Sequence, residues 1–146
     1  MTDEMPETVP QQADPHKITI RVYYEDTDFS ARVYHASYLR FLERARTELL
    51  RDLGIHQGAL HGADQAYVFV VRRMEVEWLK PAVMDDLLDV ETVCASQRGP
   101  LLTLDQRIVR DGVVLLTASV LVVTIKDGKP ARLPPDIAKL FNPANA

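Results

Sequence analysis

The 146-residue sequence predicts an α+β fold, with one long helix against one curved antiparallel sheet of about five strands. Two observations carry this. One segment has a broad apolar stripe at helical spacing, and such a stripe must be buried on something extended. The later half is a series of strand-like runs separated by tight-turn signals, and hairpin connections of that kind require antiparallel pairing.

The elements follow in order. Ile18, Ile20 and Val22 alternate with Thr19, Arg21 and Tyr23, the period of a half-buried strand. Tyr38, Phe41, Leu42, Ala45, Leu49 and Leu53 share one face of a helix over about 36–53, which Gly54 ends. Arg40, Glu43, Arg44, Arg46, Glu48, Arg51 and Asp52 cover the opposite face, with i,i+3 and i,i+4 charge pairing. Residues 66–79 form a strand that Lys80-Pro81 breaks. Leu87 to Ala95, Leu101 to Val109 and Val113 to Ile125 are three more strands, with turns at Gln97-Arg98-Gly99-Pro100 and Arg110-Asp111-Gly112. An open sheet of this size has free edges, so edge-to-edge dimerisation is the expected assembly.

Composition narrows the function classes. Residues 1–15 are expected to be a disordered acidic leader, 16–141 one domain, and 142–146 a flexible tail. Asp3, Glu4, Glu7 and Asp14 account for the entire net charge of −4, so the folded body is neutral. No basic stripe with interleaved aromatics points to nucleic acid. No apolar run approaches the ~20 residues of a membrane helix, and no secretory signal pattern opens the chain, which implies a cytoplasmic location. Cys94 is the one cysteine, and its apolar context reads as a buried, inert thiol.

The chemistry-bearing stretch is Tyr23-Tyr24-Glu25-Asp26-Thr27-Asp28, which runs through Phe29-Ser30-Ala31-Arg32 to Val33-Tyr34-His35 and the helix. Glycine-rich phosphate loops and serine-nucleophile elbows are missing from the sequence. His35, His56 and His61 lack helical metal-ligand spacing. An acid before a helix is ordinarily a cap, but these acids lie several residues ahead of the periodicity, and Ser37 is nearer the capping position. Tyr23, Tyr24, Phe29, Tyr34 and Tyr38 are expected to desolvate the acid partly. A carboxylate beside free helical N–H groups suits attack on a carbonyl.

Tyr24-Glu25-Asp26-Thr27-Asp28, Val33-Tyr34-His35-Ala36-Ser37-Tyr38 and Glu43-Arg44-Ala45-Arg46-Thr47-Glu48 resemble the 4-hydroxybenzoyl-CoA thioesterase family. The nearest likeness is to its Tol–Pal-associated acyl-CoA thioesterase branch. Val70-Val71-Arg72-Arg73, Leu79-Lys80-Pro81-Ala82, Asp85-Asp86-Leu87-Leu88 and Arg132-Leu133-Pro134-Pro135 extend the likeness over about residues 17–141. The resemblance implies a hotdog fold and hydrolysis of acyl-CoA thioesters by a homodimer or homotetramer, without metal or organic cofactor. It matches Asp28 to the catalytic carboxylate, and His35 to the position whose backbone N–H polarises the thioester carbonyl. Tyr24, Asp28 and His35 together match the branch's Tyr, Asp and His. A carrier-protein or envelope-complex partner is implied by resemblance alone.

Tyr34, Arg72 and Arg73 are the expected substrate contacts, the arginines for the nucleotide end of CoA. Where the family usually has Gly, this chain has Ala31, which strains the loop by about 1 kcal/mol if that position needs a positive φ. Two other readings of the scaffold stand beside the enzyme: a non-catalytic acyl-binding or assembly module, and a dehydratase or hydratase.

Overall fold

A computed structural model describes residues 14–55 and 67–141. The predicted leader (apart from its last two residues), the 142–146 tail, His56 and His61 lie outside the described residues.

The first strand, β1 (His16–Arg21), leads into a single 3-10 turn at Tyr24–Asp26 and then the helix α1 (His35–Asp52). Next come β2 (Tyr67–Trp78), β3 (Leu87–Arg98), β4 (Leu101–Arg110) and β5 (Val113–Lys126). A two-residue β6 (Lys129–Pro130) and a short helix α2 (Pro135–Phe141) complete the order. The sheet runs β1-β3-β4-β5-β2 with β6 on the end of β5, and every pairing is antiparallel. The expected helix and strands are therefore present, within a few residues of their predicted bounds. β6 and α2 are additions. Pro135 opens α2, where proline's missing N–H costs nothing and its fixed φ suits a first helical residue.

The stripe on α1 does what its spacing requires. Tyr38, Phe41, Leu42 and Ala45 are buried against Leu88, Val90, Leu102, Leu104, Ile108 and Leu116 of the sheet. Leu49 and Leu53 are only partly buried, and Leu50, off the predicted stripe, joins the core in the last turns. Helix α1 packs mainly over β1 and β3, leaving β2 at the opposite edge. A bulge between Val71 and Arg73 shifts the alternation of β2, so Phe69 ahead of it and Met74 and Val76 beyond it all turn toward the core.

One expectation about α1 needs correcting. Arg46 is not a surface member of a charged face: its Nη1 donates to Gln106 Oε1 at 3.0 Å. Gln106 is 3 % exposed, and its Nε2 donates to the Leu42 carbonyl and to Thr92 Oγ1, both at 3.0 Å. Burial makes the Arg46 guanidinium slightly less basic than usual. Of the charge pairing expected on that face, Arg51 is bonded to Glu48 at i,i+3, whereas Asp52 pairs with His16 of β1 at 2.7 Å and Arg44 lies over the Phe41 ring. Cys94 is half-buried, and burial pushes its thiol up to about 11, which keeps it protonated and unreactive at neutral pH.

Candidate active site

The acid loop is a small hairpin inserted between β1 and α1. Thr27 pairs with Val33 in an isolated antiparallel bridge. Within it, Ala31 N donates to the Asp28 carbonyl at 2.9 Å and Asp28 N donates to the Arg32 carbonyl at 3.0 Å. This is a turn closed by one left-handed residue, a geometry that favours glycine at that place. Ala31 occupies it with φ +69°. The position where the family usually has glycine does take a positive φ, and here an alanine adopts it at the cost of backbone strain.

The three acids of the segment have separate roles. Asp26 is 5 % exposed and holds the loop together. Its Oδ2 accepts from Tyr23 N at 2.8 Å, its own N donates to the Tyr23 carbonyl at 3.0 Å, and its carbonyl accepts from Tyr34 N at 2.9 Å. Glu25 is exposed. Asp28 is exposed as well, and its Oδ1 accepts from both the backbone N (2.8 Å) and the hydroxyl of Ser30. No hydrogen bond reaches Oδ2 among the described residues. The Ser30 hydroxyl, then its N–H, hold the Asp28 carboxyl below the usual aspartate range. Asp28 is thus an anion at neutral pH with one oxygen free.

The aromatic enclosure expected around this acid is not formed within one chain. Tyr23, Tyr24, Phe29 and Tyr34 are all exposed, and only Tyr38 is buried. The reason is geometric: the hairpin projects from the end of the sheet, so its aromatics have no opposing layer. Ser37 likewise does not cap the helix. The N-cap is Tyr34, no side chain caps it, and the Ser37 hydroxyl instead accepts from Arg40 Nη2 at 2.9 Å. The first turn of α1 holds no acid either, so the positive end of the helix dipole faces outward uncompensated. The N–H groups of His35 and Ala36 make no hydrogen bond among the described residues.

His35, the first residue of α1, is exposed and sits edge-on to Trp78 at 5.1 Å between ring centroids. Tyr34 is 6.3 Å from the His35 ring. Tyr24 is on the same hairpin, where its carbonyl accepts from Thr27 N and Thr27 Oγ1. Tyr24, Asp28, Tyr34 and His35 thus lie along one loop and the helix start it leads into, with the Tyr34 ring beside that of His35. Arg72 and Arg73 are not brought to it. They are exposed on β2, five and six residues before Trp78, or ~17–20 Å along the strand.

Sequence reasoning passed over two neighbours. Ser30 carries the short Asp-x-Ser signature of a side-chain-closed turn, a local signal that was available. Trp78 had no such signal, because it reaches His35 only through the fold. A cleft also opens between α1 and the inner face of β2, with Glu43, Arg46 and Thr47 on one wall and Phe69, Val71 and Val122 on the other. The helix residues of this seam, Glu43 to Leu50, span roughly 10 Å of α1.

Residues 22–141 match the model of the thioesterase-like superfamily. The chain is 47% identical over 125 residues to the acyl-CoA thioester hydrolase YbgC of Escherichia coli O6:H1, a match covering 84% of this chain and 92% of that one. It is 41% identical to the acyl-CoA thioesterase YbgC of Haemophilus influenzae, covering 84% and 91% of the two chains. Among solved structures, a probable thioesterase from Bartonella henselae superposes with a TM-score of 0.79 at 41% identity, covering 82% of this chain and 99% of that one.

Proposed function

From its membership of the thioesterase-like superfamily, with the hotdog fold, we infer that the chain is an acyl-CoA thioester hydrolase whose working acid is Asp28. Hydrolysis is the activity named for its relatives, and it takes precedence over an assembly role or a dehydration. The observation that supports the assignment of the acid is an exposed, anionic Asp28 on the loop that runs into an uncapped helix start.

Sulfur donates poorly into a carbonyl, so a thioester carbon is electrophilic and the thiolate is a competent leaving group. The site has to supply an activated water and a place for the oxyanion. Asp28 Oδ2 takes the proton as water attacks, or attacks directly to give an acyl anhydride that water then opens. The N–H groups of His35 and Ala36, at the positive end of α1, stabilise the negative carbonyl oxygen, an effect typically worth ~3–4 kcal/mol. Collapse of the tetrahedral species expels the CoA thiolate. Tyr24, Tyr34 and the His35 ring orient the substrate, and the acyl chain runs down the seam between α1 and β2.

Assembly completes the site. β2 is the free sheet edge on that side, and its Val70, Val71 and Trp78 are exposed. Pairing two β2 edges makes a homodimer, or half of a homotetramer. It brings a second copy toward the exposed aromatics and provides a route for Arg72 and Arg73 to reach CoA phosphates bound at the partner's loop. A cytoplasmic location fits a CoA substrate.

The test is thiol release from short, medium, long and aromatic acyl-CoAs, run beside sedimentation analysis. The reading requires cleavage of at least one thioester by a dimer or larger species, and loss of that cleavage in Asp28→Asn. Full activity in the Asn variant removes Asp28 from the mechanism.

A further inference from the structure

The turn between β2 and β3 (residues 79–86) is fastened to several other parts of the chain, among them the acid hairpin, α1 and the end of β4. Ala82 is fully buried. Its N–H donates to Tyr38 Oη at 2.9 Å, and its carbonyl accepts from Val33 N at 3.0 Å. Val33 is the base of the acid hairpin and stands two residues before the first residue of α1. Next to it, Arg32 pairs with Val83 in a second antiparallel bridge. The hairpin is thus zipped onto this turn by its returning limb.

On its far side the turn is bridged by an ion pair, beside backbone bonds to Val22 and Leu115 and a bond from Arg21 Nη1 to the Asp85 carbonyl at 2.7 Å. Arg110, the last residue of β4, donates through Nη1 to Asp86 Oδ2 at 2.7 Å and to the Pro81 carbonyl at 3.3 Å. The same Asp86 oxygen accepts from Val83 N at 2.9 Å. Asp85 N and the Asp86 carbonyl close the loop with the Val22 carbonyl and N–H, both at 2.9 Å. One guanidinium therefore spans the turn from Pro81 to Asp86, and the residues it spans are the ones that grip Arg32 and Val33. Arg110 has no recorded bond to the acid loop itself.

We propose that Arg110 and Asp86 are positioning residues for thioester hydrolysis. Their ion pair sets the turn that holds the Asp28 hairpin in register with the start of α1. This rests on the assignment of Asp28 and the helix N–H groups as the working groups. The Arg110 and Asp86 side chains are only 30% and 19% exposed, so removing one partner leaves the other partly buried without its counter-charge and costs some stability as well. A displacement of about 1 Å at a reacting group costs up to about 100-fold in rate. Losing the pair should therefore slow chemistry even where the protein stays fully folded, which separates the positioning role from the loss of stability.

The experiment uses the full chain and an acyl-CoA that the wild type cleaves, at a temperature well below unfolding. Arg110→Met should lower kcat about 30- to 100-fold, with KM within about threefold and a melting shift of only a few degrees. Arg110→Lys keeps a cation for Asp86 and should restore most of the lost kcat. Asp86→Asn should fall between them. A folded Arg110→Met with kcat within about twofold of wild type overturns the proposal, as does a Lys variant no better than Met. Should Arg110→Met fail to fold, Arg110→Lys and Asp86→Asn decide: wild-type kcat in Asp86→Asn overturns the proposal. A wild type that cleaves no acyl-CoA, or an active Asp28→Asn, overturns the underlying assignment and this inference together. An inactive Asp28→Asn beside a fully active Arg110→Met overturns the positioning role alone.

Discussion

Gln106 and Asp28 both hold several hydrogen bonds, yet their partners differ in kind. Gln106 is buried and joins α1 to the sheet, reaching Arg46, the Leu42 carbonyl and Thr92, residues 14 to 64 positions away. Asp28 is exposed, and the partner of its carboxylate, Ser30, lies two residues on in the same loop. A buried polar group must be satisfied by the fold, and removing it leaves other buried groups unpaired. An exposed one held by its own loop can be changed with little cost to the fold. The two clusters should therefore respond oppositely to mutation.

Asp28→Asn is the largest expected effect. It keeps the side-chain shape and an acceptor for Ser30 but cannot take a proton at neutral pH. We expect kcat for acyl-CoA cleavage to fall about 10²- to 10⁴-fold, with a melting temperature within about 2 °C of wild type. Thiol release and thermal unfolding on one preparation check both halves. A melting loss as large as that of a core mutant would collapse the contrast.

Gln106→Leu should do the reverse. It strips the Arg46 guanidinium, the Leu42 carbonyl and Thr92 Oγ1 of a shared buried partner, at a cost of about 2–3 kcal/mol. In a chain of this size that lowers the melting temperature by about 4–10 °C. Well below unfolding, kcat should stay within about threefold of wild type. Denaturant unfolding with an unchanged m-value would show that stability alone has moved.

The same contrast explains what could be read from the sequence. The stripe Tyr38, Phe41, Leu42, Ala45 is local periodicity, so α1 was legible to within one residue at each end. The local setting of Asp28 was legible because its hydrogen-bond partner Ser30 is also its neighbour in sequence. Arg46 was misread as a surface charge, because its partner Gln106 is 60 residues away. Trp78 against His35 and Arg110 against Asp86 are similarly products of strand pairing, without a short-range signal. The openness of the aromatics around Asp28 was also beyond sequence reading, since it depends on which layers close over the loop.

Ala31→Gly offers a smaller and opposite effect. Among the described residues four non-glycine positions have positive φ, and three are aspartates, whose short polar side chains tolerate that region. Ala31, at φ +69°, has no such compensation. Glycine relieves the strain but adds freedom to the unfolded chain, so a net gain of about 0.5–1 kcal/mol is expected. That raises the melting temperature by roughly 1–4 °C. Since the hairpin already has the required shape, kcat and KM should both stay within about twofold. A large change in KM would mean that Ala31 had altered the loop rather than strained it.

Ser30→Ala probes the acid with the least disturbance. The Ser30 hydroxyl is the first of the groups holding the Asp28 carboxyl below its usual range, followed by the Ser30 N–H, which the substitution leaves in place. A depressed pKa in the folded state contributes stability above the unfolded value of about 3.9, and that contribution is lost as pH falls through the lower folded value. Removing the hydroxyl should move the Asp28 titration up toward the ordinary value and narrow that window. At pH 7 the acid is ionised in both forms, so the rate should change by no more than about twofold. Carbon-13 titration of the Asp28 carboxyl reads the shift directly. A curve unmoved from wild type would assign the depression to the backbone N–H instead, leaving the loop's conformation, and not its serine hydroxyl, as what lowers the Asp28 titration.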